Sequence, residues 1–251
     1  MNELHKWSIR VHKSLKEVFT SVAFYQESLI AKESRCWNAF YFQSYYSLFH
    51  SLMACVVLIP FETIEQLSNI NHTKLIKVFK SNFCDQSPRI MPENISELFY
   101  MLKYLREYYS YNMPMNDFLY DHPDTTKPDL RLTRYIRGCA QLASLHSELI
   151  DSSAKKHGIE VLDEMQYYSD TLKWYQQLNC PKHPESDEYI LHYTDKVKIE
   201  EIVKYPEPLS FITDFEHFVD EFRTYEGGEA PRFASGKEIN PWSFLFKTLH
   251  L

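Results

Sequence analysis

Apolar residues recur along the first 150 positions at three- and four-residue steps, the spacing of one helical face. Residues 4–32 carry Trp7, Val11, Leu15, Val18, Phe19, Val22 and Leu29 in this way and predict a first helix. Residues 35–59 predict a second, more buried one, with Tyr45, Phe49, Leu52, Met53 and Val56 on one face. Pro60 stops it, because proline lacks the amide and clashes with the preceding turn. Leu75, Ile76 and Phe79 predict a third helix over 72–82, and Pro88 and Pro92 mark a loop. Asn94 or Ser96 can cap the next helix through its side-chain oxygen. That helix carries Leu98, Met101, Leu102, Leu105, Tyr108 and Tyr109 as its inward stripe. The stretch from Pro114 to Pro128 is a long loop rich in proline and aspartate. Residues 129–153 predict another helix, with Leu132, Tyr135, Ile136, Cys139, Leu142, Ala143 and Leu149 inward.

Beyond Gly158, a helix terminator, the pattern weakens. Residues 159–178 read as helical, Pro181 and Pro184 break the chain, and Tyr189–Tyr193 suits a short strand, hence one short hairpin. A short helix is expected over 197–204, and an amphipathic one through Phe211, Phe215, Phe218, Val219 and Phe222. Glycines 227, 228 and 236 with Pro231 mark a loop before the apolar segment Trp242–Leu251. The expectation is an all-α up-down bundle over residues 1–158, followed by a mainly helical extension over 159–251. Charge follows the same division. Acidic and basic residues nearly balance in the first part, whereas the second has twice as many acidic as basic ones. That acidic region is either a solvated surface or a docking region for a protein partner.

Composition narrows the function classes. The chain has only 5 glycines, with no GxGxxG or GxxxxGK pattern, which excludes the Gly-rich phosphate loops. The net charge of −7 gives no global basic field. The 5 cysteines form no CxxC, and MNELHKWSIR lacks the apolar core of a signal peptide, so a reducing cytoplasm is expected. Cys36 to Pro60 holds no charge but is dotted with Asn38, Gln43, serines and His50. It reads as a helix buried by its neighbours and not as a membrane span.

Metal and cofactor chemistry finds no support in the motifs. HExxH is absent, no two histidines stand four apart, and His183 with Glu185 and Asp187 matches no ligand spacing. There is no GxSxG elbow. Adjacent acids such as Asp163/Glu164 or Glu200/Glu201 point to different sides of a helix. No metal and no cofactor is expected.

One ordered set of segments carries more. Ala39–Ala54 reads AFYFQSYYSLFHSLMA, Asn71–Leu75 reads NHTKL, and Leu102–Tyr109 reads LKYLREYY. In order and spacing, over roughly residues 20–155, this resembles the HEPN superfamily of helical bundles, particularly its small prokaryotic members. The resemblance implies a homodimer and a place in toxin–antitoxin or antiphage systems. It also implies a metal-independent ribonuclease site of an arginine and, after four to six intervening residues, a histidine. Arg106 fits the arginine. Tyr111, Asn112 and Met113 stand where the histidine would, so Arg106, Tyr111 and Asn112 are the candidate catalytic residues. Asn112 can hydrogen-bond a phosphate or ribose but does not titrate. His122 lies too far along the chain.

The arginine fork matches phosphate oxygens, and aromatic rings can stack on unpaired bases. Candidate RNA contacts are therefore Arg131, Arg134, Arg137, His72 and Tyr109. Each has a plainer reading. Arg106 can be a structural residue paired with Glu97 or Asp117. His72 can orient a helix start, His50 can be a hydrogen-bonded core residue, and the tyrosines can be core. Two functions stay open: an RNA-directed protein, as divergent ribonuclease or RNA binder, and a non-catalytic module (antitoxin, sensor or adaptor) for a protein partner.

Overall fold

The computed structural model describes residues 4–112, 128–157 and 164–214. Their regular secondary structure is all helical: α1 (Leu4–Glu33), α2 (Trp37–Val56), α3 (Ile64–Ser68), α4 (His72–Phe79), α5 (Ile95–Glu107), α6 (Pro128–His157), α7 (Glu164–Asn179) and α8 (Tyr193–Lys204). A π-helical turn continues α4 over Lys80–Cys84, and another continues α5 over Tyr108–Asn112. No helix among the described residues is long and apolar enough to cross a membrane. The long loop at 114–127, the 158/159 boundary, and everything expected beyond Asp214 lie outside the described residues.

The chain forms two compact units interleaved along the sequence. Among the described residues, one draws on those up to Lys16, Val57–Ile70 and those from Leu142 to Asp214. The other takes Glu17–Val56 and Asn71–Gln141.

In the second unit α1 turns into α2 through three residues. Arg35 adopts φ 56°, while the Cys36 and Arg35 amides close onto the carbonyls of Ala31 and Lys32. This is the Schellman arrangement that satisfies the last carbonyls of a helix. The antiparallel α2 then meets α1 along small side chains. Ser21 Oγ lies 2.6 Å from Ser51 Oγ and donates to the Ser47 carbonyl at 2.8 Å, and Ser47 Oγ donates back to the Ser21 carbonyl. Packing against α4 and α5 covers the rest of α2, and Tyr45, Leu48, Leu52 and Cys55 are fully buried. Tyr25 bonds Thr133 at 2.5 Å, and Cys55 Sγ donates to the Cys139 carbonyl, which ties α6 to α1 and α2.

In the first unit, α3 packs on α7 and α7 on α8. Buried Arg10 donates Nε to the Val57 carbonyl at 2.6 Å and an amine to that of Ile59, and burial lowers its pKa to about 10. Asp214 is buried between Lys198 Nζ at 2.6 Å and His12 Nδ1 at 3.2 Å, and Lys198 also reaches Glu201 at 3.0 Å. Burial alone would raise the Asp214 carboxyl. The His12 and Lys198 contacts instead hold it well below the usual carboxylate range. His12 keeps a lowered pKa because burial dominates.

Several details depart from the pattern read along the chain. A short helix at 64–68 starts at Thr63 with a full capping box to Gln66. Asn94 does sit at the start of α5, but its side chain does not cap; its Oδ1 accepts from Tyr135 at 2.6 Å. Leu149 is 59% exposed, not inward. In place of a strand at 189–193 there is a single bridge, Lys182 to Tyr189. Tyr193 instead opens α8, because His192 and Asp195 form a capping box that commits the chain to helix there.

Burial sets the cost of three substitutions. Leu52→Ala should destabilise by about 2–5 kcal/mol in urea denaturation, and Leu149→Ala by roughly 0.5 kcal/mol or less. Asp214→Asn should cost about 3–5 kcal/mol by the same measurement, since it leaves buried Lys198 with one carboxylate fewer.

Candidate functional site

The second unit gathers the chemistry. One stretch of α2 carries Tyr45, Tyr46, Phe49 and His50, which project toward α1, α4 and α5. His72 is the first residue of α4, fixed there because Asn71 caps the helix by accepting from the Lys74 amide at 2.9 Å. Arg106 comes from the last turn of α5, where the negative end of the helix dipole favours a cation.

Arg106 is mostly covered, with 15% of its side chain exposed. Its guanidinium carbon sits 4.7 Å from the centre of the Tyr45 ring and 5.8 Å from that of Tyr46. Such a cation over an aromatic face is attracted by the ring quadrupole. One amine donates to Tyr46 Oη at 3.3 Å and the other to Glu107 at 3.1 Å. The carboxylate beside it is therefore Glu107, the next residue and half-buried, and not Glu97, which is exposed. Asp117 lies outside the described residues. Arg106 Nε is buried with no hydrogen-bond partner among the described residues. A buried donor in that state costs about 1–3 kcal/mol, so its retention asks for a reason.

His72 adjoins the same rings. Its Nδ1 is 2.5 Å from Tyr45 Oη, and its ring packs against Tyr45 at 5.6 Å, Phe49 at 4.7 Å and Tyr46 at 6.2 Å. Burial lowers its pKa, and the charges of Arg106 and Lys103 lower it further. His72 is thus neutral at pH 7 and able to take up a proton. Burial raises the Tyr45 pKa, so its hydroxyl keeps its proton. His50 forms the third corner. Its Nδ1 is 2.5 Å from buried Glu17, and its ring lies on Phe24 at 5.5 Å and 4°. What this arrangement offers is a cation, a neutral imidazole and two tyrosine hydroxyls on one cluster of aromatic rings.

The sequence-derived candidates fall into separate places. Arg106 and His72 meet here, both against Tyr45. Tyr111 and Asn112 lie on the π-helical turn after α5, both exposed; Tyr111 is 80% exposed, and Asn112 reaches only the Glu107 carbonyl at 3.5 Å. Tyr109 is buried and stacks on Tyr41 at 4.8 Å. Arg131 and Arg134 are exposed and Arg137 half-buried on α6. Sequence reasoning passed over Glu17, and it read Tyr45, Tyr46 and His50 as core. The available signal was an uncharged helix carrying two tyrosines and a histidine. Among the described residues no group of three or more His, Cys, Asp or Glu side chains is arranged to hold a metal ion.

The chain matches no family model, no curated protein and no solved structure.

Arg106→Gln removes the nearest positive charge and should raise the His72 pKa toward the ordinary value of about 6.5. Imidazole proton shifts in an NMR titration would read it. An unchanged His72 titration would show that the Arg106 charge does not set its state.

Proposed function

We propose that this chain is an RNA-directed protein, a divergent ribonuclease or RNA binder of the HEPN-like kind that its sequence resembles. The carrying observation is the covered Arg106 guanidinium with an orphaned Nε, set beside neutral His72 and the Tyr45 and Tyr46 rings. A guanidinium recognises phosphate through paired N–H donors, and Nε is one member of the fork that does so. A phosphodiester oxygen is the acceptor that would satisfy it. The exposed Arg131 and Arg134 on α6 add a basic strip able to attract a polyanion, although the whole chain is acidic. The same resemblance suggests a homodimer acting within a toxin–antitoxin or antiphage system, and the scattered cysteines suit a reducing cytoplasm.

A second reading, a non-catalytic module for a protein partner, draws on a different feature. Phe42, Tyr100, Tyr104 and Tyr111 expose 40%, 53%, 65% and 80% of their surfaces on α2, α5 and the turn that follows. Tyrosine-rich surfaces are common where proteins meet. The absence of a histidine at the motif spacing after Arg106 also suits it.

Binding of a labelled single-stranded RNA at several salt concentrations separates the two. RNA binding should weaken steeply with salt, and Arg106→Ala should cost about tenfold or more in affinity while helical content is kept. No binding even at low salt, or binding indifferent to Arg106, would overturn the first reading and leave the interaction module.

A further inference from the structure

The first unit buries a lysine for which the RNA-directed reading has no role. Lys198 of α8 is 8% exposed, and its Nζ lies between two carboxylates, 2.6 Å from Asp214 Oδ1 and 3.0 Å from Glu201 Oε2. Asp214 is 3% exposed, and its other oxygen, Oδ2, is 3.2 Å from Nδ1 of the largely covered His12. Val11, Ile202, Tyr205 and Leu209 line a small cavity beside these groups, with room for about one water. Other close lysine–aspartate contacts lie in a different medium. Lys155 reaches Asp151 at 2.9 Å and Lys182 reaches Asp187 at 2.8 Å, but both lysine side chains stand open to solvent.

A primary amine and a carboxyl group held in contact are the two halves of an amide. In water the pair rests as two solvated ions. The buried pair also rests as ions: burial works against the Lys198 ammonium, but Asp214 and Glu201 outweigh it and raise its pKa. Two buried charges, however, carry a desolvation cost that a neutral amide does not. Across the 2.6 Å contact the nitrogen stands no more than about 4 Å from the carboxyl carbon, close to the roughly 3–3.5 Å from which oriented groups react. A buried lysine with a neighbouring base is also the setting in which an amine becomes a nucleophile. We propose that Lys198 and Asp214 join in an isopeptide bond within the folded chain, with Glu201 as the group that takes the proton from the attacking nitrogen. The inference stands apart from the RNA-directed reading, on residues of the other unit.

The step balances without a co-reactant. Glu201 takes a proton from the Lys198 ammonium, and the freed nitrogen bonds to Cγ of Asp214. Oδ1 stays as the amide carbonyl. Oδ2, the oxygen that His12 holds, receives the two protons that leave the nitrogen, its bond to Cγ breaks, and it departs as water. Ammonium and carboxylate thus become a neutral amide and a water, and nothing is oxidised or reduced. The cavity beside the pair gives that water a place to go. The bond spans 16 positions and ties α8 to the far end of the segment that begins at Pro206, whose carbonyl accepts from Ser8 at 2.7 Å. A covalent tie of this kind limits the unfolded chain as a disulfide does, and it is indifferent to reductant.

Mass spectrometry of the full chain tests this directly. The folded protein is kept at neutral pH for several days, then denatured and reduced. Wild type should weigh less than its sequence by one water, and digestion should yield a branched peptide joining the stretches around Lys198 and Asp214. No branched peptide should join Lys155 to Asp151 or Lys182 to Asp187. Lys198→Arg should keep its full mass. Glu201→Gln, with helical content retained, should form the bond about 10²-fold more slowly, as expected for loss of a general base, and Glu201→Asp should recover part of the rate. The wild-type mass decides the matter even where a variant fails to fold. Full mass in wild type after that time, or a lost water that maps to any other residues, would overturn the inference. A Glu201→Gln chain that links as fast as wild type would overturn the role given to Glu201.

Discussion

A helix without a single charge, buried on most of its faces, must still find partners for the polar side chains that it carries inward. That demand on α2 organises the second unit. Burying an unbonded hydroxyl or imidazole costs more than most individual packing contacts return. The serines of α2 settle it locally, by closing onto Ser21 of α1. The larger side chains cannot. Tyr45 draws in His72, Tyr46 draws in Arg106, and His50 draws in Glu17, from three different helices. Gln43 Oε1 and Ser44 Oγ are the exceptions, buried with no hydrogen-bond partner among the described residues. The polar content of one helix therefore dictates which residues of α1, α4 and α5 converge.

The same demand sets the electrostatics. Arg106 comes into a cluster of aromatic rings, and the carboxylate that it pairs with among the described residues, Glu107, is half-buried. A positive charge covered in this way acts at a lower effective dielectric than one on the surface. With burial, it keeps His72 neutral, while burial leaves the Tyr45 proton in place. The site is thus poised by its surroundings and not by a dense array of charges.

Most of the helices were legible because their period is a direct product of burial. Both ends of α1 and the last residue of α7 lie within one residue of their expected places, and α6 runs to His157, four residues past its own. The misses have separate causes. Asn94 has the right chemistry for a cap but is taken by Tyr135. Leu149 keeps the heptad-like spacing of α6, yet that end of the helix leaves it in solvent. The helix at 64–68 was written in Thr63 and Gln66 and is short enough to escape a periodicity argument. At the site, Arg106 and His72 were visible as an ordered pair of motifs. His50 and Glu17 are 33 positions apart. No local pattern announces such a pair, and an isolated histidine on an apolar face reads as core.

The interleaving of the two units has a consequence for how the protein is made. The first turns of α1 bury Leu4, Ile9 and Val11, and their unit also needs α7 and α8. The Ser8–Pro206 and His12–Asp214 bonds span 198 and 202 positions. A ribosome delivers these residues long before their partners, at about 5–20 residues per second. The first turns of α1 therefore spend roughly ten seconds or more without these partners. Over that interval their apolar stripe is a surface for a chaperone to cover.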